Sequence, residues 1–212
     1  EPEDLPTDDA LLLAEHRAIH AGTSRGSGPH FLTGPIHVEG AMPGDMLEVH
    51  ISDIQLRQDW GWNLIEPLLG TLPDDFPVHR RLHIPLDRQA RTAKLPWGLT
   101  WPLDPFFGNF GVAPPPEYGR ITSIIPREHG GNMDNRALTA GCTVYFPVFN
   151  EGALFSAGDG HAVQGDGEVC LTAIETSLTG TFKLTLHKHR ALRFPRAETA
   201  THYIAMGMNE DL

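Results

Sequence analysis

The stretch from His129 to Glu175 sets glycine-rich turns, bearing acids, histidines and amides, against short apolar runs. Its turns are His129-Gly-Gly-Asn-Met-Asp134 and Gly158-Asp-Gly-His-Ala-Val-Gln-Gly-Asp-Gly-Glu168. Its apolar runs are Ala140-Gly-Cys-Thr-Val-Tyr-Phe-Pro147-Val and Thr172-Ala-Ile-Glu175. Glycine lets the backbone take positive φ and approach a ligand closely. The 22 Gly and 18 Pro among 212 residues are too many for a helical bundle and suit many short strands joined by tight turns. The expected fold class is mainly β (β-rich α+β): an antiparallel sandwich or barrel-like arrangement with few short helices.

Taken in order, residues 1–30 read as an N-terminal arm and loop, and residues 31–212 as one β-rich domain. Residues 1–9 are acidic, Ala10–Ile19 has helical composition, and His20–Pro29 is a Gly/Ser loop. A strand is expected over Gly34–Glu39. Met46–Ile51 then alternates, with Leu47, Val49 and Ile51 opposite Glu48 and His50, the period of a half-buried strand. Pro43-Gly44-Asp45 is turn chemistry. Arg80–Leu86 and Thr92–Lys94 suit a hairpin. Phe106–Pro116 reads as an aromatic, glycine-rich loop, either a core plug or an apolar wall for a small substrate, with Phe107 as its candidate contact. Strands are expected over Glu168–Thr176 and Thr181–His187, with Leu178-Thr-Gly180 turning between them, and a last strand within Thr201–Gly207.

The net charge of −11 argues against nucleic acid or an anionic membrane as partner, because both need clustered Lys and Arg. The chain opens Glu-Pro-Glu-Asp, without the basic and apolar regions of a secretory leader, and no apolar run reaches a bilayer span. A cytoplasmic protein is expected. Cys142 and Cys170 read as free thiols packed as small hydrophobes.

The two glycine-rich turns, with the Ala-Ile-Glu that follows, resemble the blocks His/Asn-Gly-Gly-Asn-x-Asp and Gly-Asp-x-His-x-x-Gln-Gly-Asp-Gly-Glu of the acetamidase/formamidase family. Upstream, Leu32-Thr-Gly-Pro-Ile-His-Val-Glu-Gly-Ala41-Met-Pro-Gly-Asp45 resembles that family's Thr-Gly-Pro-x-x-Val-x-Gly-Ala-x-Pro-Gly-Asp block. The resemblance runs from about Leu32 to Gly207. It implies an acetamidase/formamidase-type fold, a hydrolase cleaving the C–N bond of a short linear amide of the formamide/acetamide class, and a homo-oligomer, for which the chain's apolar Trp/Phe region is the candidate interface. Family members usually extend further at both ends, so a fragment of a longer chain is expected.

Amide hydrolysis needs an activated water, a stabilised oxyanion and a proton for departing ammonia. A divalent metal supplies the first two. His161, Asp134 and His129 are the expected ligands, with Asp159 in reserve, a donor set that suits zinc; calcium or magnesium is the alternative for an oxygen-richer set. Glu168 is the expected general base and acid. Glu175, seven residues further along a strand, falls on the opposite face unless a bulge or the Gly167 turn intervenes, and is assigned a relay role. Asn132 and Gln164 suit the two ends of a substrate amide, the Gly130-Gly131 amides an oxyanion nest, and Glu39 the pocket wall. One spatial expectation joins these roles: the His161 turn folds back beside the Asp134 turn. No Gly-x-Ser-x-Gly elbow is present to support a serine nucleophile. The alternative is a non-catalytic β-sandwich module with a structural calcium and a small-molecule or sugar ligand.

Overall fold

The computed structural model describes residues 11–24 and 26–208; the acidic arm expected over residues 1–9 lies outside them. In chain order the elements are α1 (Ala14–Gly22), β1 (Leu32–Ile36), β2 (Met46–Leu56), β3 (Trp60–Ile65), β4 (Arg80–Asp87), β5 (Thr92–Lys94), β6 (Thr100–Pro102) and β7 (Phe106–Gly111). There follow β8 (Gly130–Asn132), β9 (Thr143–Pro147), β10 (Phe155–Val163), β11 (Ile174–Glu175), β12 (Leu178–His187), β13 (Arg196–Glu198) and β14 (Tyr203–Ala205). The chain is mainly antiparallel β, as expected from its breaker-rich composition. It divides into two compact units, one of residues 11–24, 56–105 and 161–178, the other of residues 26–55, 106–160 and 179–208.

In the first unit β6, β5, β4, β3 and β11 lie side by side in that order, with the end of β10 alongside β11. The expected hairpin forms: Leu86 faces Ala93 and Asp87 faces Thr92, and Asp87 Oδ1 accepts from the N–H groups of Gln89 and Ala90 in its turn. One face buries Ile84, Leu86, Ala93, Leu103, Ala162 and Ile174 together, which supplies the sheet's main hydrophobic stabilisation. Helix α1 begins and ends later than its composition indicates. Its approach is tied down by Trp60 Nε1–H donating to Leu11 O at 2.6 Å and by the Arg57–Glu15 ion pair.

The second unit is a sandwich. One sheet contains β10, β7 and β8, with β1 on β10; the other runs β12, β2, β9, β13, β14. Phenylalanine rings fill the space between: Phe110 meets Phe146 edge-on at 5.6 Å, and Phe182 takes Phe107 and Phe155 at 5.4 Å each. Strand β2 follows its alternation, with Leu47, Val49 and Ile51 fully buried. Asp45 is the turn cap its sequence context indicates. Its carboxylate accepts from Met42 N–H, His189 N–H and the Lys188 ammonium at 2.6–2.9 Å. The Lys188 hydrogen bond leads in holding its pKa down at about 2.

Three local expectations are corrected. Phe106–Gly111 is a strand, not a loop, and all six residues are buried. Covered on both faces, it shows no period of two, and Gly111 serves close packing: a Cβ there would lie 2.2 Å from His129 O. The turn expected at Leu178–Gly180 does not form, and β12 runs straight through it. Gly180 is there because a Cβ would strike the rings of Phe107 and Phe182 at 2.6 and 2.7 Å. The strand expected over Glu168–Thr176 shrinks to Ile174–Glu175, because a one-turn helix at Asp166–Glu168 and positive φ at Gly167, Glu168 and Leu171 break the pleat before it.

Candidate active-site residues

In the first unit, β10 carries His161, which is only 1% exposed. Three residues on, past the strand end, Gln164 Oε1 accepts from His161 Nδ1–H at 2.9 Å. That bond fixes the ring and leaves Nε2 as the second nitrogen of the site. Nε2 stands 3.3 Å from Glu175 Oε1 and 3.9 Å from Glu168 Oε1. Glu175 faces His161 directly in the β10–β11 register and Trp62 across the other edge. Its Oε1 also accepts from the Ala173 N–H at 3.0 Å. The Gly167 turn is what lets both glutamates reach one imidazole, since strict alternation would separate them.

This arrangement dictates its own electrostatics. A lone-pair nitrogen facing two carboxylate oxygens repels both, and the group is stable only with positive charge among the three: a proton on Nε2 or a cation. The 3.3 Å Nε2–Oε1 separation is about that of two donors held ~2.0–2.1 Å from a tetrahedral zinc. A ring whose Nδ1–H is anchored by an amide oxygen is also the usual posture of a metal-binding histidine. The residues present therefore fit a divalent metal. Glu175, assigned from sequence to a relay, is the nearer of the two glutamates to the imidazole.

The second unit holds the other candidates. Strands β7 and β8 pair Asn109 with Asn132, Phe110 with Gly131 and Gly111 with Gly130. Gly130 and Gly131 have φ of 93° and 85°, but the Gly130 N–H donates to Arg127 O at 2.9 Å, so it is engaged within the turn rather than turned toward an oxyanion. Asn132 Nδ2–H donates to Asp134 Oδ2 at 2.8 Å, and Asp134 N–H to Gly108 O at 3.1 Å. Asp159, at φ 58° in β10, has His30 Nε2 3.6 Å from its carboxylate. His30 Nδ1 contacts Ser123 Oγ at 2.7 Å. The buried Asn109 donates from Nδ2 to Ser123 O at 3.0 Å, so β7 braces the loop that holds His30. Nothing in the local pattern around His30 marks it, since its partner lies 129 residues away. Phe107 is buried against Phe182, and Glu39 is exposed in the turn after β1.

His129 is buried, and its Nδ1 has no hydrogen-bond partner among the described residues. Burial, aided by Arg127 and opposed by Glu128, drives its pKa from 6.5 to about 4. The sign follows: as pH falls, the unfolded chain takes the proton first, so stability present above pH 6.5 is lost between 6.5 and 4. The expected loss is about 3 kcal/mol. Denaturant melts at pH 7, 5.5 and 4 check it, and His129→Asn removes that slope.

No helix among the described residues is long and apolar enough to cross a membrane. The profile of the Acetamidase/Formamidase family matches residues 24–121 and 118–203. The chain is 32% identical over 198 residues to a formamidase of Methylophilus methylotrophus, covering 66% of this chain and 47% of that one. It is 30% identical over 198 residues to an acetamidase of Mycolicibacterium smegmatis, covering 66% and 49%. The crystal structure of an acetamidase from Bacillus halodurans superposes with a TM-score of 0.75 at 38% identity, covering 81% of this chain and 57% of that one. The chain spans about half the length of the curated relatives it matches.

Proposed function

The chain belongs to the acetamidase/formamidase family, and from that premise we propose that it hydrolyses a short linear amide to carboxylate and ammonia. The observation that carries the reading is the buried imidazole with two glutamate oxygens at its Nε2. Such convergence costs stability unless it serves a charged partner. His161, Glu175 and Glu168 are the residues of the first unit that would hold a divalent metal, zinc first and calcium or magnesium as alternatives. Asp134, Asp159 and His129 enter as donors on the strength of the sequence blocks that carry them. When bound, the metal would lower the pKa of water and polarise a carbonyl.

The chain's own groups do the rest. Gln164 holds His161 in one orientation. Glu175, anchored through the Ala173 N–H, backs the imidazole. Glu168 has 17% of its side chain open to solvent and exchanges protons with water most readily. It takes the proton from the attacking water and returns it to the leaving nitrogen as the C–N bond breaks. Water's oxygen ends in the carboxylate and its two hydrogens on the nitrogen, which leaves as ammonia carrying the extra proton, that is, as ammonium.

Ammonia release from formamide and acetamide, with and without a chelator and alongside elemental analysis, tests the proposal. Metal-dependent release is expected; none from any short amide overturns the reading. A cytoplasmic setting belongs to the same proposal, supported by two unpaired cysteines. So does a homo-oligomer built on Trp97, Leu99 and Trp101, which are 66%, 44% and 48% exposed. Sedimentation measures that assembly.

A further inference from the structure

The second unit holds a cleft of about 730 Å³, a volume typical of small-molecule sites. None of its lining residues is among the candidate ligands, bases or substrate contacts of the amidase reading. Tyr118, Arg127 and Glu128 reach it from the connection between β7 and β8, Arg193 and Phe194 from that between β12 and β13. Each arginine lies over an aromatic ring: Arg127 Cζ is 5.3 Å from the centroid of Tyr118, and Arg193 Cζ 5.2 Å from that of Phe194. Stacking holds the guanidinium plane and keeps its charge, the posture in which arginine takes an oxyanion. The frame is braced on both sides. Arg127 and Gly130 exchange N–H···O bonds at 3.0 and 2.9 Å, and Tyr118 Oη–H donates to Glu128 Oε1 at 2.6 Å. Pro195, the buried neighbour of Phe194, accepts from Met206 N–H at 3.3 Å. A preorganised cleft spends less of its binding energy on ordering itself.

Two guanidiniums against one carboxylate make this cleft locally positive, in a chain whose net charge is −11. That balance selects an anion. A single excess positive charge, with Glu128 beside it, suits a monoanion better than a doubly charged phosphate. The rest of the wall is apolar, from Pro126, Phe149, Leu192 and Met208, and with Tyr118 and Phe194 it offers three aromatic rings to a flat partner. We propose that the cleft binds an organic carboxylate carried on a flat apolar body, its carboxylate taken by Arg127 and Arg193. The proposal stands without the amidase reading.

Calorimetric titration of the whole chain tests it with four probes: 2-naphthoate, the neutral methyl 2-naphthyl ketone, acetate and inorganic phosphate. Naphthoate is expected to bind at least about tenfold more tightly than the ketone, which lacks the charge, and than acetate or phosphate, which lack the apolar body. Arg127→Gln and Arg193→Gln are each expected to weaken naphthoate about tenfold and to leave the ketone unchanged; a damaged fold would weaken both. Glu128→Gln still accepts from Tyr118 but removes the opposing charge, and is expected to tighten naphthoate about threefold. Loss of structure cannot produce that gain. Arg193 is exposed, so its variant and Glu128→Gln decide the matter even if Arg127→Gln does not fold. No binding of naphthoate, equal binding of acid and ketone, phosphate binding as tightly as naphthoate, or an Arg193→Gln protein with wild-type affinity each overturns the proposal.

Discussion

His161→Ala is expected to lose amide hydrolysis by about 10³-fold or more and to unfold about 3 kcal/mol more easily. Both losses follow from one geometry. The imidazole is buried, fixed by Gln164 Oε1, and sits between Glu175 and Glu168 at 3.3 and 3.9 Å. Removing it leaves two carboxylates facing each other without the group that held positive charge near them. The activity loss and the stability loss separate in a double variant. Adding Glu175→Gln removes one of the stranded charges and is expected to restore much of the stability while restoring no turnover. Urea melts and ammonia release on the same preparations provide both readouts. A His161→Ala protein that keeps wild-type turnover would sink the assignment of this cluster.

Gly61→Ala is expected to cost about 3 kcal/mol and to lower kcat more than it raises KM. A Cβ at this position would stand 2.6 Å from Glu175 O and 2.7 Å from Ile174 Cγ2. The oxygen is backbone and cannot rotate aside, so β11 must move away from β3. Strand β11 is two residues long, and one of them is Glu175. Any displacement therefore shifts the carboxylate that faces His161 in register. Gly165→Ala is the control: it lies in the connection that leads from β10 into β11, and a Cβ there meets nothing within 4 Å. Full activity and stability are expected of it. Gly61→Ala behaving like Gly165→Ala would show that β11 does not position the site.

What was readable in the chain, and what was not, follows from the range of the interactions. The alternation of Leu47, Val49 and Ile51 and the turn chemistry of Asp45 are local, and both appear in the structure as the pattern indicates. The hairpin of β4 and β5 is equally local. Strand β7 was not legible, because burial on both faces erases periodicity and its glycines imitate a loop. Gly180 misled for the same reason: without coordinates, a glycine that makes room for rings looks like one that makes a turn. At the site, the motif blocks named His161, Gln164 and Glu168. The nearness of Glu175 depended on a left-handed turn at Gly167 and Glu168, which no count of alternating positions anticipates. His30 was invisible because its link to Asp159 is set by the fold alone.

Strand β7 also determines how the sequence can drift. Along β2, positions such as Glu48 and His50 offer polar exchanges between closed neighbours, so tolerance should rise and fall with every second residue. From Phe106 to Gly111 there is no such relief. A saturation library would return six consecutive intolerant columns there, a plateau instead of a comb, with Gly111 as unforgiving as the three phenylalanines.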